Sequence, residues 1–234
     1  VVIMSVTVNG VVDRVQAVLQ DTTGVRWPIT DELILWVNDA QREIVFLKPD
    51  ANATNDTITL VTGTKQSIPS TSNRLLKAVR NMSASSEGTG KRAVRLVSRE
   101  VLDAQSPDWH DPTVTGDAAH TNIVKHYVYD ASNPRNFYVY PGVSGSAYLE
   151  IIYSSNPTTV SAGDVLTIPD IYANAVLNYV LYMAYMKDAE YAGNQQRAAS
   201  HYQIFTISIT GKGQLDVLTD PNADRSPAQQ VGLA

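Results

Sequence analysis

The apolar positions of this chain change period twice, from helical to alternating and back. That double switch constrains the fold more than any single motif. In NGVVDRVQAVLQD, residues 9–21, Val11, Val12, Val15, Val18 and Leu19 fall at helical spacing. Asn9 is the expected N-cap and Gly24 the expected stop. Pro28 disfavours helix at Trp27, so a second helix is expected to start afresh in ITDELILWVNDAQREIVFLKP. Thr30 would cap it, with Asp31 and Glu32 at the positive end of the helix dipole. Leu33, Trp36, Val37, Ala40, Ile44 and Leu47 trace one apolar stripe, with Asn38, Asp39, Arg42 and Glu43 largely opposite. The two helices read as an αα-hairpin.

From about residue 57 to 156 the period shortens to two. TITLVTGTKQSIP reads as a hairpin. RLLKAVRNMSA and RAVRLVS are strands around the turn SSEGTGK, and REVLDAQSPDWHDP is a short helical turn running into a loop. NIVKHYVYD and NFYVYP are strands joined by ASNPR, and SAYLEIIYS is the last strand. About six short, mainly antiparallel strands are expected. Helical spacing returns after Pro169 and Asp170. The segment 171–187 is apolar nearly all round, which predicts burial among other helices. In the next helix Ala198, Tyr202, Phe205 and Ile209 share a face. The segment from Gly211 is rich in Gly, Pro, Asp and Gln and is expected to be extended or flexible.

Neither helix pair can cover its apolar face alone. The expectation is therefore an α+β fold: a discontinuous four-helix bundle from residues 8–50 and 168–210, an inserted β region at 55–160, and a tail at 211–234.

The chemistry carried by residue type is sparse. With no cysteine in 234 residues, disulfides, thiolate metal sites and cysteine nucleophiles are out. A net charge of −5 argues against a protein that coats nucleic acid non-specifically, leaving room for a local basic patch. No apolar run approaches membrane-spanning length, and VVIMSVTVNG does not read as a signal peptide. GTGKR at 88–92 carries Ser85 and Arg92 where a phosphate loop needs Gly and Ser or Thr, and GKG at 211–213 opens no helix, so both read as turns. DWHDP gathers Asp108, His110 and Asp111, which reads as a polar loop fixed by Trp109 sooner than as a metal site. GVSGS at 142–146 lacks the spacing of a nucleophile elbow. Glu150 and Asp164 are the carboxylates a glycoside hydrolase would use, chosen by general position only. The helix at 30–47 carries Asp31, Glu32, Asp39 and Glu43 against Arg42, and phosphates would repel it as a recognition helix. No catalytic residue, cofactor or metal is expected.

Aromatic residues concentrate in NPRNFYVYPGVSGSAYLEIIYSSNP, residues 133–157. A nucleic-acid stacking platform would be flanked by cations, and Arg135 is the only basic residue there. Phe137, Val139, Leu149 and Ile151 can share one face, and Tyr138, Tyr140, Tyr148 and Ile152 the other. Both faces therefore need a cover. One can be the rest of the β region. The other is expected to be a neighbouring subunit, with Tyr138, Tyr140 and Tyr148 as the contact residues.

Several stretches, in order over residues 8–210, resemble the head-to-tail adaptor (connector) proteins of tailed bacteriophages. They are WPITDELILWVNDAQREIV; IPSTSNRLLKAVRNM with RAVRLVSREVLDAQSPDWH; HYVYDASNPRNFYVYP with LEIIYSSNP; and LTIPDIYANAVLNYVLYMAYMKDAEYAGNQQRAASHYQIF. The resemblance implies a structural protein of the virion neck. It would assemble as a ring, typically of twelve copies, beneath the portal protein. The ring would extend the DNA channel, letting packaged DNA pass without sequence-specific contact, and dock a nozzle or tail-tube protein. It implies no small-molecule cofactor, no enzymatic activity and no membrane. It also implies that residues 211–234 form an arm that orders on the portal, with Leu215, Val217, Leu218, Pro221, Val231 and Leu233 as contacts. The alternatives are another neck or tail structural role, such as tail completion or fibre attachment, and a cell-wall hydrolase.

Overall fold

The computed structural model describes residues 5–85 and 88–219. In chain order the main elements are α1 (Val8–Leu19), α2 (Ile34–Leu47), β1 (Ala53–Leu60), β2 (Gly63–Ser67), β3 (Ser72–Met82), β4 (Gly90–Ala93), β5 (Arg95–Leu96), α3 (Arg99–Gln105), β6 (His126–Tyr129), β7 (Asn136–Val143), β8 (Ala147–Ser155), α4 (Ala173–Lys187) and α5 (Asn194–Thr219). They form an α+β protein that divides into two compact units. A helical unit comprises the chain up to Lys48 and from Pro157 on, and a β unit runs from Pro49 to Asn156.

In the helical unit α4 packs against α1, α2 and α5. Its apolar surface on several sides suits that position. Ala175, Val176, Val180, Leu181 and Ala184 are buried, Tyr179 lies against Phe205 of α5 with ring centroids 5.1 Å apart, and Tyr185 stacks on His201 at 5.6 Å. Ala198, Phe205 and Ile209 of α5 are buried as their spacing predicts, while Tyr202 stays partly exposed.

Helix ends differ from the sequence reading where a tertiary contact competes. α1 starts one residue before Asn9: Thr7 is the cap, its Oγ1 accepting from Gly10 N at 3.1 Å. Thr7 also bridges to Val165, so the start of α1 is fixed to the segment preceding α4. α1 ends at Gln20 in the left-handed region, ahead of Gly24. The loop beyond is organised by Asp21, whose carboxylate accepts from Trp27, Arg26 and Val25 N–H groups. These donors, Trp27 foremost, hold its carboxyl below the usual range. Thr30 does not cap α2. Residues Ile29–Leu33 form a single π turn in which the Pro28 carbonyl accepts from both Glu32 and Leu33 N–H.

The buried face of α2 includes two amides that the apolar stripe does not show. Asn38, expected opposite the stripe, is buried; its Nδ2 donates to the carbonyls of Ile34 and Val160, both at 3.0 Å, and its Oδ1 accepts from Val160 N at 2.8 Å. Gln41 Oε1 accepts from Thr167 N at 2.8 Å and Thr167 Oγ1 at 2.7 Å. The irregular segment 158–168 needs partners for its backbone, and these amides supply them. Leu47, expected on the stripe, is partly exposed instead.

Residues 211–219, expected to be extended, are helical and complete α5. Gly211 and Gly213 each cost about 1 kcal/mol relative to Ala in a helix. Set against that cost, Asp216 accepts from Lys48 Nζ at 2.8 Å and Lys212 Nζ at 3.0 Å, and Lys212 sits over the Tyr172 ring. The remainder of the expected tail, 220–234, lies outside the described residues.

The β unit has two four-stranded sheets, ordered β1-β8-β3-β4 (sheet one) and β2-β7-β6-β5 (sheet two). All ladders are antiparallel except β5 with β6. The sheets share a core in which Leu75, Ala78, Leu149, Ile151 and Tyr153 meet Tyr127, Phe137, Val139 and Val143. The hairpin expected of β1 and β2 is corrected here, and the successive strands β7 and β8 do not pair with each other either. β1 and β2 follow one another in sequence, as do β7 and β8, yet each pair is divided between the sheets. β7 and β8 each bury alternate residues, Phe137, Val139 and Val143 against Ala147, Leu149, Ile151 and Tyr153. Crossing from sheet to sheet turns those two faces toward each other, whereas a flat hairpin would lay them side by side on one surface. RAVRLVS is likewise two strands: Val94 turns into the core between β4 and β5, and the chain passes from sheet one to sheet two. Buried Asn81 holds that corner, donating to the carbonyls of Arg92 and Val124 and accepting from Val124 N, each at 2.8 Å.

Candidate functional site

The outer face of sheet two is covered by the chain itself. α3 and the loop after it lay Leu102 and Trp109 over Val128, with Tyr138 and Tyr140 packed alongside. The Trp109 indole is fully buried and meets Tyr138 and Tyr140 edge-on at 6.2 and 6.3 Å. Its Nε1 donates to Asp103 Oδ1 at 2.9 Å, and the Arg99 guanidinium lies 5.3 Å from the Tyr138 ring centroid. The Tyr140 hydroxyl donates to the Asp117 carbonyl at 3.4 Å, and His126 stacks on the Tyr140 ring. The cover expected from a neighbouring subunit is thus largely supplied by residues 99–120, and Tyr138 and Tyr140 are half-buried beneath it. Tyr148 lies on the other sheet, half-buried on its outer face, opposite Thr59 and Met82.

The DWHDP loop diverges. His110 stacks on Trp109 with centroids 3.7 Å apart, and its Nδ1 meets Thr64 Oγ1 at 2.7 Å. Asp111 instead accepts from Thr113 N and Oγ1. Among the described residues no three His, Asp or Glu side chains are grouped to hold a metal.

The two carboxylates singled out for hydrolysis are each in structural use. Glu150 faces out of sheet one in a shallow cleft of about 330 Å³ lined by Asn55, Thr57, Arg80 and Met82. It accepts from Asn55 Nδ2 at 2.9 Å and pairs with Arg80, and these donors, Asn55 first, hold its carboxyl below the usual range. A general acid needs the opposite shift. Asp164, in the helical unit, accepts from Ser161 N at 2.7 Å and closes a turn.

At the end of α5, Leu215 and Leu218 are 62% and 80% exposed. The side chain of Val217 and all of Pro221, Val231 and Leu233 lie outside the described residues.

Two exposed surfaces were not isolated from sequence. On α2, Leu35 and Phe46 are 53% and 78% exposed, with Asp39 and Glu43 between them. In the β unit, the successive edge strands β4 and β5 expose Lys91, Arg92, Arg95 and Leu96. The charge density of RAVRLVS is visible in sequence; its position on two sheet edges is not. Among the described residues no helix is long and apolar enough to cross a membrane.

The family model described as SU10 adaptor protein matches residues 6–230, spanning both units. Comparison with curated proteins gives no match.

Proposed function

The chain belongs to the SU10 adaptor protein family, a phage structural family, and from that premise we propose that it is a head-to-tail adaptor. In this reading it forms a homo-oligomeric ring, of about twelve copies by the sequence resemblance, in the virion neck between portal and tail. The ring extends the DNA channel without binding a particular sequence and docks a nozzle or tail-tube protein. The observation that carries the proposal is the extent of the family match, which covers the helical and β units together and not one motif.

The surfaces are consistent with that role. A ring subunit presents two different complementary faces. Large apolar residues exposed on otherwise polar elements, among them Phe46, Leu96, Ile207 and Leu218, mark contact surfaces. Read as a four-helix bundle, the helical unit offers the end of α5, with Leu215 and Leu218, to the portal; Val217, Pro221, Val231 and Leu233 continue that contact along the arm. Tyr148 is a lateral contact, and Tyr138 and Tyr140 add what their own cover leaves exposed.

Cryo-microscopy of the particle neck tests the reading. The expected result is a closed ring of this chain directly against the portal, with its C-terminal segment in contact with portal subunits. Density for the chain in a fibre, in the tail tip or only inside the tail tube would overturn it.

A further inference from the structure

The two units divide the charge of the chain unequally. The β unit holds ten basic and ten acidic residues, and the helical unit eight basic and thirteen acidic. Within the β unit the cations are concentrated: residues 65–99 contain eight Lys or Arg against one acidic residue, Glu87. Four cations, Lys91, Arg92, Arg95 and Lys125, lie along the stretch where the two sheet edges follow one another, and the field of the last three reaches His126. Lys91 and Arg92 lie on β4 and Arg95 on β5, with Arg95 N donating to the carbonyl of Lys125 at 3.3 Å. Among the described residues none of the four is in an ion pair. Leu96 and Ile123, 62% and 48% exposed, give the patch an apolar component. Half-buried His126 senses its sign: desolvation, and then Arg92, Arg95 and Lys125, push its imidazole below the ordinary value.

The outer face of α2 is the converse. Asp39 and Glu43 lie one turn apart between exposed Leu35 and Phe46, and only Asp39 has a cation partner among the described residues, Arg42 at 3.0 Å. The Tyr179 hydroxyl on α4 senses this field, pushed up to about 12 by burial, then by Glu43 and Asp39. Each surface holds like charges together at a cost to its own unit, and each pairs those charges with exposed apolar side chains.

We infer that these two surfaces bind each other between copies: the basic β4–β5 edge of one chain seats on the α2 face of the next. The pairing joins two different surfaces, so it repeats head to tail and closes when the rotation permits. It rests on the ring reading and supplies its lateral contact. The charges set orientation and encounter rate, while Leu96, Ile123, Leu35 and Phe46 supply the buried apolar area. An acidic surface of the same chain suits the patch better than a nucleic-acid backbone does, because Leu96 and Ile123 have no counterpart among phosphates.

Charge-swapped full-length chains test the inference. One carries Arg92→Glu and Arg95→Glu, the other Asp39→Lys and Glu43→Lys, and self-association is followed by sedimentation velocity and chemical cross-linking. All four positions are on the surface, so circular dichroism and melting should match the parent chain. Arg92→Ala with Arg95→Ala serves as a milder variant. Each swapped chain alone should associate at least about tenfold more weakly. An equimolar mixture should recover parental association, because each variant then meets its complement. If the parent associates and neither swap changes it, these surfaces do not meet, and the ring reading stands on another contact. If the parent stays monomeric at every concentration, a second copy is not the occupant, and ring position in the particle is judged separately. If the Arg variant loses salt-sensitive binding of a random-sequence DNA duplex while association is unchanged, the patch is a nucleic-acid surface and the inference fails.

Discussion

Replacing Trp109 by alanine should remove a large fraction of the stability of the β unit. The indole is fully buried and connects α3 to the outer face of sheet two. Truncating a buried tryptophan costs about 3–5 kcal/mol in transfer free energy and residual cavity. The edge contacts to Tyr138 and Tyr140 fall within that figure. The Nε1 bond to Asp103 adds little, because that carboxylate is half exposed and returns to water. Domains of this size are stable by about 5–15 kcal/mol, so the loss is a large fraction of the whole. Trp109→Phe keeps most of the apolar contact and should lose about 1–2 kcal/mol. The chain has three tryptophans, and the other two, Trp27 and Trp36, lie in the helical unit. Their fluorescence therefore follows that unit, while β-sheet circular dichroism follows the other during denaturant unfolding. A loss below about 1 kcal/mol for Trp109→Ala would refute the reasoning and make residues 99–120 a detachable loop. If the cover is structural, Tyr138→Ala and Tyr140→Ala should reduce folding stability and assembly together.

Asn38→Ala removes one amide and strands the Val160 N–H and C=O in a buried site, which should cost about 2–5 kcal/mol by thermal or denaturant melting of the helical unit. Asn38→Asp should retain the bond from Val160 N and be less damaging at low pH, where the introduced carboxylate is neutral. Acid should loosen the end of α5. The Asp216 carboxyl is held low in the folded chain by Lys48 and then Lys212, so its contribution is present above the unfolded pKa and lost as pH falls through the folded one. Amide hydrogen exchange across 211–219 should accelerate on acidification, and Asp216→Asn should show the faster exchange already at neutral pH. His110 and His126 are both depressed by burial, so the unfolded β unit takes up protons first as pH falls below about 6.5. Its melting temperature should fall from pH 7.5 to pH 5.5, and His126→Gln should flatten that dependence.

The sequence by itself determined the period of each segment and therefore most of the apolar residues that face inward. Phe137 and Val139, Leu149 and Ile151, Ala198 and Phe205 are buried where alternation or helical spacing places them. The ordered resemblance over most of the chain also pointed to the family. Periodicity is a local signal, however: it reports that a face is covered and is silent on what covers it. Hence the partition of β1 from β2 and of β7 from β8 between sheets, and the cover of Tyr138 and Tyr140 by Trp109, were decided only when apolar faces distant in sequence met. Burial of Asn38 and Gln41 depended on the unpaired backbone of residues 158–168, which no spacing in α2 encodes. Extension of α5 through Gly211 and Gly213 depended on Lys48, more than 160 positions away from Asp216. The basic edge and the acidic α2 face are legible as residues in the sequence; only the tertiary structure shows that each is exposed, incompletely neutralised and contiguous. Charge and period are properties of the chain, whereas complementarity belongs to surfaces that folding assembles.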